Sequence, residues 1–504
     1  MRFNKYIPSI IIIITIFCSQ FLEATTLVII HTNDTHSQID PDENNLGGIL
    51  RRKVLIDSVR NAVRNVMLVD AGDAVQGTLY YHLFKGEVES KMMNELGYEI
   101  AILGNHEFDN GLILLHKQFN ALNATKISTN YNLSSTLLDS LFVPFAVKEY
   151  DGKRIGIIGL GIDPKGMISS HNYHGVKYLD AIKAANATAW HLKHHLHADA
   201  IVAITHVGYD IKLPSTPNDL DIARYTESID IIIGGHSHTL INVQGKDSPI
   251  HKVTNLIGDT VLIAQAGEGG QYLGEITLDF ENKSATSRLI SVDKRLDNRI
   301  DTSAEKILHP YKQIVDSLMS IKVATSAIYL DKKGEPLINL ISDFIYEKGK
   351  ELSGEKIDIA IMNKGGIRNG LPKGEISKGH IMMAFPFENL IKVIELTGKD
   401  LAETLGIIVL GGHANVSNET EIIFNPTTKE ITDILIEGQP LDINKTYRVA
   451  TIDYLADGGD YLTPLTKGKT IATSKNSLTE DLIKYLSSHT EKLNPPTTIR
   501  IHPK

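Results

Sequence analysis

The chain has 504 residues, of which 42% are apolar and 22% charged, with a formal net charge of −9. That length exceeds a single core and fits about three units, and the balance excludes a disordered or fibrous chain. No Lys/Arg-rich stripe stands out, so a nucleic-acid polymer held by phosphate neutralisation is not an expected partner.

Arg2 and Lys5 precede an apolar run from Ile7 to Cys18, and Ser19 to Ala24 follow. A basic start, a short apolar stretch and a small residue at Ala24 have the form of a secretory leader over residues 1–24. The run is shorter than the ~20 residues that span a bilayer. The expected product is exported, periplasmic or extracellular, with no stable membrane insertion once the leader is removed. Cys18 is the sole cysteine, so the mature chain would carry neither thiol nor disulfide. Thr15-Ile16-Phe17-Cys18 matches a lipoprotein processing box poorly, which makes lipid anchoring the lesser reading.

From residue 25 to about 295 the pattern alternates between strand and helix. Leu27–Ile30, Val66–Val69, Ile100–Leu103, Ile201–Ile204 and Ile231–Ile233 are continuous apolar runs, as in strands buried on both faces. Gly48–Val63 and Glu87–Leu96 read as helices between them. Each run leads into a polar motif: Asp34-Thr35-His36, Gly72-Asp73, Gly104-Asn105-His106-Glu107, Thr205-His206 and Gly235-His236-Ser237-His238. Loops at the carboxyl ends of strands converge in layered α/β folds, which would gather these residues in one place.

Imidazole, carboxylate and amide groups are hard or borderline ligands suited to divalent cations. Taken alone, Asp73 reads more readily as an Asx-turn or helix N-cap than as a carboxylate bridging two cations. His106 with Asp109 three residues on forms a potential His–carboxylate pair, in which the carboxylate orients the ring and favours its protonated form. A purely structural metal site is the competing reading, but such sites are usually closed and rich in Cys.

In this order the five motifs resemble those of the calcineurin-like metallophosphoesterase family. The resemblance implies a four-layer αββα-type catalytic domain holding two divalent cations. By position, Asp34, His36 and His238 would hold the first metal, and Asn105, His206 and His236 the second, with Asp73 bridging. It further implies a bridged water attacking phosphorus, with His106, paired to Asp109, donating to a phosphoryl oxygen or assisting the leaving group. Zn²⁺, Mn²⁺, Fe²⁺ and Co²⁺ all suit such ligands.

Thr302–Ile321 turns helical, with Ile307, Tyr311, Ile314, Val315, Leu318 and Met319 on one face. Pro310 is expected to kink this connecting helix or delay its start. Beyond about 325 a second α/β unit follows. Glu335–Lys348 reads as a helix with Pro336 in its first turn, Ile357–Met362 and Tyr447–Ile452 as strands, and Thr397 as a helix cap. Asn363-Lys364-Gly365-Gly366-Ile367-Arg368 ends one strand. Phe387 and Tyr454 are aromatics able to hold a flat base, although isolated aromatics usually pack in cores. Asp460 is placed to accept hydrogen bonds from a diol.

This second set is similar to the nucleoside pocket of the secreted 5′-nucleotidase family, which implies Asn363, Arg368, Phe387, Tyr454 and Asp460 as substrate-binding residues. The resemblance spans the mature chain as 25–295 catalytic, 296–324 linker and 325–504 nucleoside-binding, in an α/β class overall. Two departures stand out. Lys332 and Lys333 occupy the region where the family carries a substrate-binding Arg, and His238 stands where its nucleotidases often carry Gln or Asn. The implied reaction is hydrolysis of nucleoside 5′-monophosphates. Nucleotide diphosphate sugars, 2′,3′-cyclic nucleotides, di- and triphosphates, a sulfur-compound hydrolase or a non-catalytic nucleoside-binding protein remain as alternatives. A hinge near 300–325 is expected between the domains; the oligomeric state has no sequence signature.

Overall fold

The structure is a computed structural model describing residues 25–245, 248–488 and 491–504; the expected leader, with Arg2, Lys5 and Cys18, lies outside the described residues. The apolar runs of the first half become β1 (Thr26–Thr32), β2 (Val66–Asp70) and β3 (Ile100–Ala101), separated by α1 (Ile49–Ala62) and α2 (Glu87–Leu96). Next come β4 (Lys153–Gly161), α3 (Ala181–His194), β5 (Ala200–His206), β6 (Ile231–Ile233), β7 (Thr260–Ala264) and β8 (Tyr272–Asp279). β1, β2 and β3 run parallel within a seven-stranded sheet in which β8 lies antiparallel to β1. β4, β5, β6 and β7 are parallel neighbours in a six-stranded sheet.

The two-residue side-chain period of each strand builds the layers. Leu27, Ile29, Met67 and Val69 pack with Ile155, Ile157, Val202, Ile204, Ile231 and Ile233 in one cluster between the sheets. The alternate residues Val28, Ile30 and Leu68 turn to Val54, Ile56, Val88 and Met92 of α1 and α2. On the far side Ile201, Ala203 and Ile232 turn to Ala185, Ala189 and Leu192 of α3. The result is helix, sheet, sheet, helix, as expected. β3 is shorter than its apolar run because the chain turns at Gly104, where any side chain would run into the Asp73 carboxylate.

α4 (Thr302–Met319) buries Ala304, Leu308 and Val315 in the core of the first unit. Pro310 sits inside it and neither delays its start nor ends it. At its far end the Ser377 hydroxyl of the second unit lies 3.9 Å from Met319 Sδ. That unit comprises α5 (Glu335–Ser353), β9 (Ile359–Asn363), β10 (Leu390–Thr397), α6 (Gly398–Gly411) and β11 (Thr446–Ile452), with its own core. α5 runs past the expected Lys348 to a left-handed cap at Gly354. The Thr397 side chain accepts from the Asp400 N–H and caps α6. β9 pairs parallel with β11, and β11 antiparallel with β10. Among the described residues, no helix is long and apolar enough to cross a membrane.

Candidate active site

The exits of β1, β2, β3, β5 and β6 meet at one edge of the stacked sheets. Donor atoms of Asp34, His36 and His238 lie within 4.8 Å of one another, as do those of Asp73, His206 and His236. A third group of the same kind, His36, Asp73 and His106, overlaps both. Asn105 joins through its Oδ1, 2.8 Å from His236 Nδ1.

Sharp turns aim these side chains inward. Asp34, His36, Asp73, His236 and His238 have φ of 48°, 46°, 53°, 74° and 53°. Left-handed backbone is uncommon outside glycine and costs on the order of 1–3 kcal/mol per residue, so the surroundings must impose it. Glu107 supplies part of that constraint. Its buried carboxyl accepts the backbone N–H of Gly104 at 2.7 Å and those of Asp73 and Ala74 at 3.0 Å. Asp34 accepts the His236 N–H at 3.0 Å and Asn33 Nδ2 at 2.6 Å. His206 donates from Nδ1 to the Ala71 carbonyl at 2.7 Å, which leaves Nε2 3.1 Å from Asp73 Oδ2.

The charges are concentrated. Burial pulls His206 down, yet the carboxylates of Asp73 and Asp34 outweigh it and raise its pKa to about 10. Burial and the His206 charge push His236 down to about 3. Burial raises Asp73, but His206, His106 and His36 hold it well below the usual carboxylate range. Burial dominates at Asp34 and raises it.

This donor set fits divalent cations. His36 Nε2 and His238 Nε2 face each other at 3.1 Å with Asp34 Oδ1 3.6 Å from the latter. Two ring nitrogens directed at each other beside a carboxylate converge on a point that a cation would fill. The second group converges likewise on His206 Nε2, and every donor is of a hard or borderline type.

His106 stands beside the two groups. Its Nδ1 lies 2.7 Å from Asp109 Oδ2, as the three-residue spacing suggested. Burial lowers its pKa, but Asp109 and Asp73 overcome that and raise it. One cavity of about 460 Å³ is lined from the first unit by Asn105, His106, Asp109, His236 and His238. Asn363, Arg368, Phe387, Tyr454 and Asp460 line it from the second. Asp34, His36 and His206 are buried behind it. The Phe387 ring is stacked on His106 at 6.0 Å. Tyr454 packs partly on the second core and over Gly459, and its hydroxyl donates to Asp460 Oδ1 at 2.8 Å. Asn363 Nδ2 donates to the other Asp460 oxygen at 2.8 Å. Gly365 and Gly366 form cavity wall, whereas Lys364 is not among the lining residues.

Two side chains beside the site escaped the sequence reading. Glu268 Oε2 lies 3.0 Å from His238 Nδ1, and this bond pulls its pKa down to about 2, with Lys332 and Arg368 adding to the effect. Gln76 Nε2 donates to Asp109 Oδ2 at 3.1 Å. Glu268 follows β7, an apolar run with a Gly-rich polar exit like the other five, so the same rule would have found it. For Gln76 the signal is only its place beside Gly77, three residues after Asp73.

A model of calcineurin-like phosphoesterases matches residues 27–240, and one of the 5′-nucleotidase C-terminal domain matches residues 319–467. The chain is 29% identical over 496 residues to a trifunctional nucleotide phosphoesterase of Bacillus subtilis, covering 86% of this chain but 32% of that protein. It is 27% identical over 478 residues to a 5′-nucleotidase of Vibrio cholerae, covering 86% of this chain and 85% of the relative. The crystal structure of a 5′-nucleotidase precursor from Thermus thermophilus matches with a TM-score of 0.85 at 29% identity, over 95% of this chain and 99% of that one. With both units matched in order and the candidate metal-donor groups gathered at the strand exits, the chain belongs to the 5′-nucleotidase family of metallophosphoesterases and is a metal-dependent phosphoester hydrolase.

Proposed function

We propose that the protein hydrolyses nucleoside 5′-monophosphates to nucleoside and phosphate. The observation that carries this reading is the shared cavity, with His106, His236 and His238 on one wall and Arg368, Phe387 and Tyr454 on the other. Asp34, His36 and His238 would hold one divalent cation and Asn105, His206 and His236 a second, with Asp73 common to both. When bound, the cations supply the positive charge that activates water and neutralises phosphoryl oxygens.

The protein's own groups do the rest. The Arg368 guanidinium lies close enough to oppose protonation of both His36 and His106, which suits it to orient a phosphate dianion. His106 uses Nδ1 on Asp109, leaving Nε2 to donate a proton or hydrogen bond to a phosphoryl or leaving oxygen. Phe387 and Tyr454 would flank the base, and Asp460, held by Tyr454 and Asn363, would accept from ribose hydroxyls. The domains divide at 25–295, 296–324 and 325–504, and residues 1–24 direct export.

A second reading, nucleotide diphosphate sugars on the same site, draws on the extension of the cavity to Ser169, His171 and Asn172. Steady-state kinetics on a nucleotide panel after chelation and metal add-back tests both. The first reading expects metal-restored phosphate release greatest from 5′-monophosphates. Equal or greater turnover of the sugar diphosphates would favour the second.

A further inference from the structure

We infer that Gln76 is a positioning residue for His106, acting through Asp109; the inference rests on the His106–Asp109 pair proposed above. Gln76 is 2% exposed and stands at φ 71°, a backbone state that a side chain of its type rarely adopts. Such strain persists only where the surroundings impose it, and it clusters at functional sites. Here the turn delivers the amide to one point. Nε2 donates to Asp109 Oδ2 at 3.1 Å, the same oxygen that lies 2.7 Å from His106 Nδ1. The amide is itself fixed, because Oε1 accepts the Gly77 N–H at 3.1 Å. The Asp109 backbone is pinned separately by Asn172 Nδ2, which donates to its carbonyl at 2.7 Å. Gln76 therefore holds the carboxylate while Asn172 holds the main chain.

The arrangement has a chemical logic. Asp109 is only partly buried, so its carboxylate is free to rotate unless a second donor restrains it. A neutral amide restrains it without adding a charge that would compete with the imidazole. Gln76 also lines the cavity, and the Gly77 carbonyl lies 3.4 Å from Asn369 Nδ2, next in sequence to Arg368. The loop that orients the pair thus touches the unit carrying the phosphate-directed arginine.

A double-mutant cycle with Asp109→Ala tests this. Gln76→Gly removes the amide while accepting the left-handed backbone without strain. It is expected to lower kcat about 10- to 100-fold, the usual cost of losing an orienting partner of a functional group. KM should stay within about twofold and metal content unchanged, and in the Asp109→Ala background Gln76→Gly should add no further loss, because coupled residues are non-additive. Gln76→Asn, which tolerates the backbone but falls one methylene short, should reproduce the kcat loss if the glycine variant does not fold. The inference is overturned by an unchanged kcat, by an equal loss in both backgrounds, or by a loss that tracks metal content or KM. A wild-type kcat in Asp109→Ala alone would overturn the proposed pair, and the role of Gln76 with it. Loss in Asp109→Ala without coupling would spare the pair and overturn Gln76 alone.

Discussion

Removing Glu268 should weaken one metal position while leaving the fold intact. The His238 ring presents Nε2 towards Asp34 and His36 and Nδ1 to Glu268 at 3.0 Å. An outer carboxylate of this kind fixes the ring orientation and tautomer and raises its basicity, and losing one costs about 10- to 100-fold in metal affinity. The Glu268 side chain is 45% exposed, so water replaces part of the lost interaction and the lower end applies. The expectation for Glu268→Ala is a loss of about tenfold, or about 1.4 kcal/mol, at the site shared by Asp34, His36 and His238. The site of His206 and His236 should keep its affinity, since His206 is oriented by the Ala71 carbonyl instead. Titration of metal-free protein against a competing chromophoric chelator resolves the two sites. Glu268→Gln, whose amide oxygen still accepts a hydrogen bond, should recover most of the affinity. Unchanged affinity at both sites, or an equal fall at both, would refute the reasoning.

His106→Ala should lower kcat for phosphate release by about 10²- to 10⁴-fold, the span of general acid–base contributions, with metal content retained by elemental analysis. Phe387→Ala should cost a nucleotide substrate about 1–3 kcal/mol in kcat/KM while sparing ribose 5-phosphate, which has no aromatic ring to stack; an equal loss on both would argue against the base-stacking role. Glu89, which is not itself among the candidate metal donors, offers a pH test. Burial pushes its pKa from 4.5 up to about 7, so the folded state binds more protons than the unfolded state between those values, and stability must fall as pH rises through that window. Glu89→Gln, which mimics the neutral acid, should flatten the decline of Tm between pH 5 and 8 and gain up to about 3 kcal/mol at pH 8.

The gathering of the candidate donors was legible because metal chemistry favours a few residue types, and strand ends restrict where those types can converge. The layered fold was legible from runs such as Ile231–Ile233, apolar on both faces because both faces are covered. The helix across Pro310 was less so: a proline penalty is local, whereas the buried Ala304, Leu308 and Val315 that hold the helix lie on either side of it. Glu268 stands at a strand exit of the same kind and was within reach of that rule, whereas Gln76 acts through single hydrogen bonds from a loop, and a single bond leaves no period to read. Tyr454 shows why the packing and binding readings of an aromatic need not compete, since one edge rests on Gly459 and the core while another borders the cavity.

The donor groups are divided between the two sheets: Asp34, His36, Asp73 and Asn105 follow β1, β2 and β3, whereas His206, His236 and His238 come from β5 and β6. The Asp34–His36–His238 and Asp73–His206–His236 groups each draw on both sheets, whereas His36, Asp73 and His106 follow β1, β2 and β3 alone. During synthesis the amino-terminal sheet emerges first, yet β8, the neighbour of β1, is made only after His238. Under the proposed assignment neither metal position is complete until both sheets have been made, unlike the single site of a small zinc domain. An ion held at either proposed position would bridge the two sheets and tie the sandwich closed.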